Sequence, residues 1–88
     1  MLLGSDDSEA VPVLIELLKD EEITLRHSAG HALGRRKSKA KAAVPYLLET
    51  YKKRPEDSLM AGWALHMIDP ETATKEKVVK PSTPTLWA

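Results

Sequence analysis

Apolar residues recur along this chain at intervals of three and four positions, which places side chains on one side of an α-helix. Four such stripes follow one another, separated by short polar segments, and together they predict four helices. In chain order, the stripes are Val11, Leu14, Ile15 and Leu18; Leu25, Ala29, Ala32 and Leu33; Val44, Leu47, Leu48 and Tyr51; and Leu59 or Met60, Ala61, Ala64, Leu65 and Ile68.

Polar residues, prolines and a glycine predict where the helices begin and end. Ser8 is a candidate N-cap for a first helix over about 9–19, and the second helix should end near Gly34. Pro55 can stand in the first turn of the last helix, because its missing N–H is not needed there. The residue before Pro70 avoids helical geometry, so the last stripe should end at that point.

The sequence also repeats itself. AVPVLIELLK at 10–19 returns as AVPYLLETYK at 43–52, an offset of 33 residues, and SAGHAL at 28–33 returns as MAGWAL at 60–65, an offset of 32. Each copy contains two of the predicted helices. The chain is therefore predicted to be two copies of one helix pair, all-α and without strands.

The 88 residues suffice for one domain. We predict a repeat domain over 1–77, with a first repeat at about 8–37 and a second at about 38–70. Residues 71–77 allow a short helical turn. The remainder, 78–88, reads VVKPSTPTLWA, has no apolar periodicity and contains two prolines, so we predict a flexible C-terminal tail.

The order AVPxLxExLK, short acidic turn, LRxxAxxALG resembles HEAT repeats, in particular the short HEAT-like repeats of bacterial proteins and phycobilin-lyase subunits. The resemblance implies an α-solenoid segment of four antiparallel helices whose second helices line a concave face. It also implies protein-protein interaction or a scaffold role. Because repeat arrays normally need about three or more units, we expect a fragment of a longer array or a chain that self-associates.

Composition narrows the function classes. The formal net charge is zero, but residues 1–34 carry seven acids against two bases, whereas 35–54 carry eight bases against one acid. No apolar run approaches the roughly 20 residues that a membrane-spanning helix needs, and no signal peptide is recognisable. The chain has no cysteine and therefore no disulfide or thiolate zinc ligand. We expect a cytoplasmic protein.

The second helices carry the side chains that we predict to contact a protein partner. Trp63 occupies the position that matches His31 in the first repeat, and tryptophan is enriched at the centres of interfaces. The rival interpretation of Trp63 is packing against a further repeat. The predicted contacts are Arg26, His27, His31, Ser58, Trp63 and His66.

His27 and His31 lie one helical turn apart, the separation of two metal ligands on one helix. Suitable third and fourth ligands are not evident, so we interpret both as exposed imidazoles and expect no metal or cofactor. The sequence likewise contains no set of residues recognisable as a nucleophile with its base and oxyanion donors. We therefore expect a protein that is not an enzyme.

Five bases fall within the seven positions 35–41. We interpret this basic segment first as a solvated connection between the repeats, with nucleic-acid backbone binding or an acidic protein partner as the alternatives. A further alternative, implied by the resemblance, is an accessory subunit of a lyase-like enzyme. The candidate phosphate or acidic-partner contacts are Arg35, Arg36, Lys37 and Lys39.

Overall fold

The computed structural model describes residues 7–80, and these contain helices but no strand. The prediction of an all-α chain is confirmed, and the two predicted helix pairs are followed by a fifth helix. None of the helices within 7–80 has the length and apolar character needed to cross a membrane. The α-helices are α1 (Asp7–Leu17), α2 (Ile23–Arg35), α3 (Val44–Lys53), α4 (Ser58–Ile68) and α5 (Pro70–Lys75), and two 3-10 helices span Lys37–Ala43 and Pro55–Asp57.

The first helix lies two residues earlier than predicted. It begins at Asp7, so Ser8 is inside the helix and is not its N-cap. It ends at Leu17 because the chain tightens into a turn, in which the Lys19 and Asp20 amides donate to carbonyls three residues back. The last predicted boundary is confirmed, since α4 ends at Ile68, two residues before Pro70.

The four apolar stripes meet in one core between the two helix pairs. Its centre is formed by side chains with no exposed surface, among them Leu33, Leu47 and Leu65. Three predicted members are not in it: Leu25 is 41% exposed, Leu59 is 56% exposed and Ala32 is partly exposed. Met60 takes the buried place next to Leu59, because it points toward Gly30 of the neighbouring helix.

The basic connection between the repeats is helical, where a solvated loop was expected. Lys37–Ala43 forms a 3-10 helix, and Ala40 and Ala43 are completely buried. Ala40 stands at a kink inside the segment, with a φ of −103° and a ψ of 23°, and the kink leaves both alanines facing the core. Lys37 enters the segment with a left-handed φ of 54°.

The C-terminal end of the second repeat is covered by α5 and the three residues 78–80. Ala73 of α5 is completely buried and Val78 is only 5% exposed. The predicted flexible tail therefore begins too early, because residue 78 packs onto the repeat. Residues 81–88, the rest of that predicted tail, lie outside the described residues, as does the start of the chain, 1–6.

Asp69 fixes the start of α5. Its carboxylate accepts hydrogen bonds from the Thr72 hydroxyl at 2.7 Å and from the Thr72 amide at 3.1 Å. These bonds favour the charged form and lower the pKa of Asp69 below its ordinary value. The short turn predicted over 71–77 is thus a capped helix.

Candidate functional site

The second helices of the two repeats run side by side in the same direction. Contacts keep the same order along the two helices: Arg26, near the start of α2, pairs with Asp57 directly before α4, and Gly34, near the end of α2, contacts Trp63 further along α4. Parallel second helices present their matching positions as neighbours. Residues that the 32-residue offset relates, such as His31 and Trp63, therefore lie in two adjacent rows, one row on each helix.

His31 and Trp63 form the centre of these rows. Their rings are stacked, with centroids 5.0 Å apart and an angle of 18° between the planes. Both side chains are partly exposed. Gly34 makes room for the indole, because a Cβ at this position would overlap Trp63 Cζ3 and lie 2.9 Å from Cη2. The absence of a side chain at Gly34 thus sets the position of Trp63.

His27 lies one turn before His31 and contacts a buried carboxylate. Its Nε2 is 3.0 Å from Oδ1 of Asp57, and its side chain is 33% exposed. Asp57 has no exposed surface and also accepts a hydrogen bond from Arg26 Nε at 2.6 Å. The imidazole of His27 is therefore held in place by the second repeat while part of its ring faces solvent.

Arg26 does not belong to an exposed surface, in contrast to the prediction. Its side chain is 4% exposed. Besides Asp57, it donates from Nη1 to the carbonyls of Asp20 and Glu21, both at 2.9 Å. The hydrogen bond to Asp57 and the nearby negative charges raise the pKa of Arg26. Arg26 thus joins the turn of the first repeat to the start of α4, and is a structural residue.

His66 and Ser58 make local bonds at opposite ends of α4. His66 Nε2 donates to the Val78 carbonyl at 2.9 Å, which ties the chain beyond α5 back to the repeat. The Ser58 hydroxyl donates to the Pro55 carbonyl at 2.9 Å and closes the 3-10 turn. The six predicted contacts therefore do not form one cluster: His27, His31 and Trp63 lie together, and the other three hold structural positions.

Residues that were not predicted complete the rows. Leu59, Trp63 and Met67 follow one another at four-residue spacing along α4, and each is at least partly exposed. The matching positions of α2 carry two imidazoles and then a guanidinium. We name this surface the second-helix face, and it consists of His27, His31, Arg35, Leu59, Trp63 and Met67.

The repeat offset contains the signal for these missed residues. It aligns Leu59 with His27 and Met67 with Arg35, so the pattern that related Trp63 to His31 extends one turn in each direction. A second signal points to Asp57, which occupies the place of Leu25 in the first repeat. A carboxylate at an apolar position of the stripe indicates a buried polar partner.

The predicted basic contacts divide into two kinds. Arg36 Nη1 donates to the Ala32 carbonyl at 3.0 Å, so this side chain caps the C-terminus of α2. Arg35, Lys37 and Lys39 are exposed. Arg35 lies in the last turn of α2, where a cation is favoured by the helix dipole.

Metal ligation finds no support within residues 7–80, where no group of three or more histidine, aspartate or glutamate side chains is arranged to hold an ion. The two imidazoles at metal-ligand spacing have other neighbours. His27 contacts Asp57, and His31 stacks on Trp63.

Comparison with known proteins agrees with this architecture. The family model described as HEAT repeats matches residues 1–74. The chain matches no curated protein and no solved structure. Proteins built of such repeats generally mediate protein-protein interaction or scaffolding, and are typically not enzymes. The repeated sequence, the stacked helix pairs and the match over most of its length show that this chain belongs to the HEAT-repeat family.

Proposed function

We propose that the protein binds a protein partner along the second-helix face, without a catalytic step. The observation that supports this most is the partly exposed stack of His31 on Trp63, which places an aromatic surface at the junction of two helices. Large aromatic side chains contribute much of the binding energy at interfaces when a partner excludes water from them.

The α4 row supplies apolar area beside the indole. Leu59 is 56% exposed, so more than half of this apolar side chain does not contribute burial energy to folding. Together with Trp63 and Met67 it makes a row about two helical turns long. Such a row suits the apolar side of a partner helix, with anchors spaced by three and four residues.

The α2 row and the following basic segment indicate which charges the partner should carry. Arg35 and Lys37 are exposed, and His27 presents part of its ring. A partner segment with apolar anchors flanked by carboxylates would match both rows, and its charges would favour rapid and specific association. The proposed partner is therefore an acidic amphipathic helix.

The test uses a photo-crosslinking amino acid, p-benzoylphenylalanine, in the full chain expressed in its native cell. Leu59 is replaced for the second-helix face, and Tyr46 of α3, 39% exposed, is the control on a first helix. We expect a discrete protein adduct from position 59 that is lost with Trp63→Ala, and none from position 46. Equal adducts from both positions, or an adduct indifferent to Trp63→Ala, would contradict the proposal.

Nucleic-acid backbone binding is a second candidate, because Arg35, Lys37 and Lys39 are all exposed at the end of α2. It predicts affinity for a DNA duplex that falls steeply with salt and weakens in the triple alanine variant of these residues. Arg36 is left intact in this variant because it caps α2. Crosslinking of position 59 to nucleic acid would favour this candidate over the first.

A further inference from the structure

Residues 78–80, which follow α5 and its final turn, pack back onto the second repeat, and we name them the strap. Val78 is 5% exposed, whereas its neighbour Val79 is 69% exposed. The Val79 amide donates to the Tyr51 hydroxyl of α3 at 3.0 Å, and the Val78 carbonyl accepts from His66 Nε2 of α4 at 2.9 Å. The strap is thus held on both helices of the repeat by a buried side chain and by hydrogen bonds of its main chain.

The strap lies where a further second helix would lie. Gly62 of α4 corresponds to Gly30 of α2 at the 32-residue offset. A Cβ at Gly30 would overlap Met60 of the next second helix, whereas a Cβ at Gly62 would lie 3.1 Å from the Val79 carbonyl oxygen and 3.4 Å from Val78 Cγ1. The strap therefore covers the surface of α4 that is equivalent to the surface of α2 used between the repeats.

This surface of α4 is not matched to a third repeat of the same kind. The junction between the two repeats contains the buried pair of Arg26 and Asp57. In the second repeat, the position of Arg26 is occupied by Ser58, whose hydroxyl donates to the Pro55 carbonyl within its own turn. A further repeat with a buried aspartate would meet a hydroxyl in place of a guanidinium, and its charge would be uncompensated. The surface thus favours the strap of this chain as its occupant.

The chain enters the strap through a hinge at Lys77. The Val78 amide donates to the Ala73 carbonyl at 2.9 Å and the Lys77 amide donates to the Thr74 carbonyl at 3.0 Å, which is the pattern of a Schellman motif. In this motif Lys77 has a left-handed φ of 60°. Glycine is usual at such a position, and a residue with a Cβ adopts it at a cost. The closed strap therefore keeps its hinge strained, and opening relieves the strain.

We propose that the strap is a lid, which opens about Lys77 while both repeats stay folded. Opening uncovers the Tyr51 hydroxyl, His66 Nε2 and the space beside Gly62 together. These groups provide main-chain hydrogen bonds and room for a valine side chain, the chemistry by which a groove holds an extended peptide segment. The strap is thus an intramolecular ligand that closes this end of the second repeat, on a surface separate from the second-helix face.

Thiol labelling of the full chain tests the lid, because the sequence contains no cysteine. Val78→Cys introduces a single thiol under the strap. Val11→Cys is the matched control, since Val11 is also 5% exposed but lies inside α1. Reaction with a chromogenic disulfide reagent is followed in water, and each rate is divided by the rate of the same variant in denaturant. We expect position 78 to react about tenfold faster or more than position 11, because the lid opens without unfolding of the helices.

Two substitutions at the hinge should act in opposite directions although both remove the lysine charge. Lys77→Gly permits the left-handed hinge and should slow the labelling of Val78→Cys. Lys77→Pro fixes φ at about −65°, excludes the closed hinge and should speed that labelling. Neither should change the labelling of Val11→Cys, and circular dichroism shows that each variant is folded.

Three results would overturn the proposal. Equal normalised rates at positions 78 and 11 would show that the strap opens only when the repeats unfold. A rate at position 78 in water equal to that in denaturant would show that the strap is not closed. Equal labelling of Val78→Cys in the Lys77→Gly and Lys77→Pro backgrounds would show that Lys77 is not the hinge.

Discussion

Asp57 is the residue on which the junction of the two repeats depends. It has no exposed surface, and it accepts from Arg26 at 2.6 Å and contacts His27 Nε2 at 3.0 Å. Removing one partner of a buried pair leaves the other charge without compensation. Glu56 provides a comparison, since it also contacts Arg26, at 3.6 Å, but is 51% exposed.

We predict that Asp57→Asn lowers the free energy of unfolding by about 3 kcal/mol. Glu56→Gln, the matched loss of an exposed charge on the same arginine, should cost at most about 1 kcal/mol. Urea denaturation followed by circular dichroism measures both. Equal effects of the two substitutions would show that the Arg26–Asp57 pair is not buried in solution.

Gly30 is required by close approach of the helices. A Cβ here would overlap Met60 Sδ and lie 2.8 Å from Met60 Cγ, in a core where Met60 is completely buried. We predict that Gly30→Ala destabilises the protein by about 1–3 kcal/mol through overpacking. In an open helix the same change would stabilise by about 1 kcal/mol.

A double-mutant cycle with Met60→Ala separates these effects. If the steric account is correct, Gly30→Ala becomes neutral or stabilising once Met60 is shortened, and the two changes show a coupling energy. If Gly30→Ala remains equally destabilising in the Met60→Ala background, the overlap is not its cause. Thermal unfolding of the four proteins provides the measurement.

At the level of elements, α5 is secured by its N-cap. The hydrogen bonds from Thr72 lower the pKa of Asp69 in the folded state. A lowered folded-state pKa stabilises the protein above the unfolded pKa, and this contribution is lost as the pH falls through the folded pKa. The stabilising effect of Asp69 is therefore present at neutral pH and lost in acid.

We predict that Asp69→Asn has a smaller loss of stability on acidification than the wild type. Thr72→Ala, which removes the hydroxyl donor but keeps the amide donor, should lie between them. Denaturation midpoints between neutral pH and about pH 3 provide the measurement. An identical pH dependence in all three proteins would contradict this role of the cap.

The helices themselves were predictable because each is a long apolar stripe bounded by prolines or polar residues. The 3-10 helix Lys37–Ala43 was not, since its charged residues suggest a loop and only two buried alanines show its packing. The candidate site was partly predictable. The repeat offset relates Trp63 to His31. The burial of Arg26 was not predictable, because it depends on an ion pair with Asp57, which lies 31 residues further along the chain.

For the whole molecule, the two helix pairs bring their second helices together, and the second-helix face lies where α2 and α4 run side by side. On the second repeat, α5 and the residues that follow it pack closely, with Ala73 completely buried and Val78 5% exposed. On the first repeat, Val13 and Leu25 keep 60% and 41% of their surface exposed within the part of the chain that the structure describes.

The second-helix face depends on the parallel arrangement of α2 and α4, which a two-dimensional NOESY spectrum of the folded chain tests most directly. The stack of His31 on Trp63 at 5.0 Å predicts cross-peaks between their ring protons, and the contact at Gly34 predicts that the indole ring current moves its α-protons away from random-coil shifts. Absence of these cross-peaks, with Gly34 α-protons at random-coil shifts, would contradict the arrangement of the repeats and the binding face built on it.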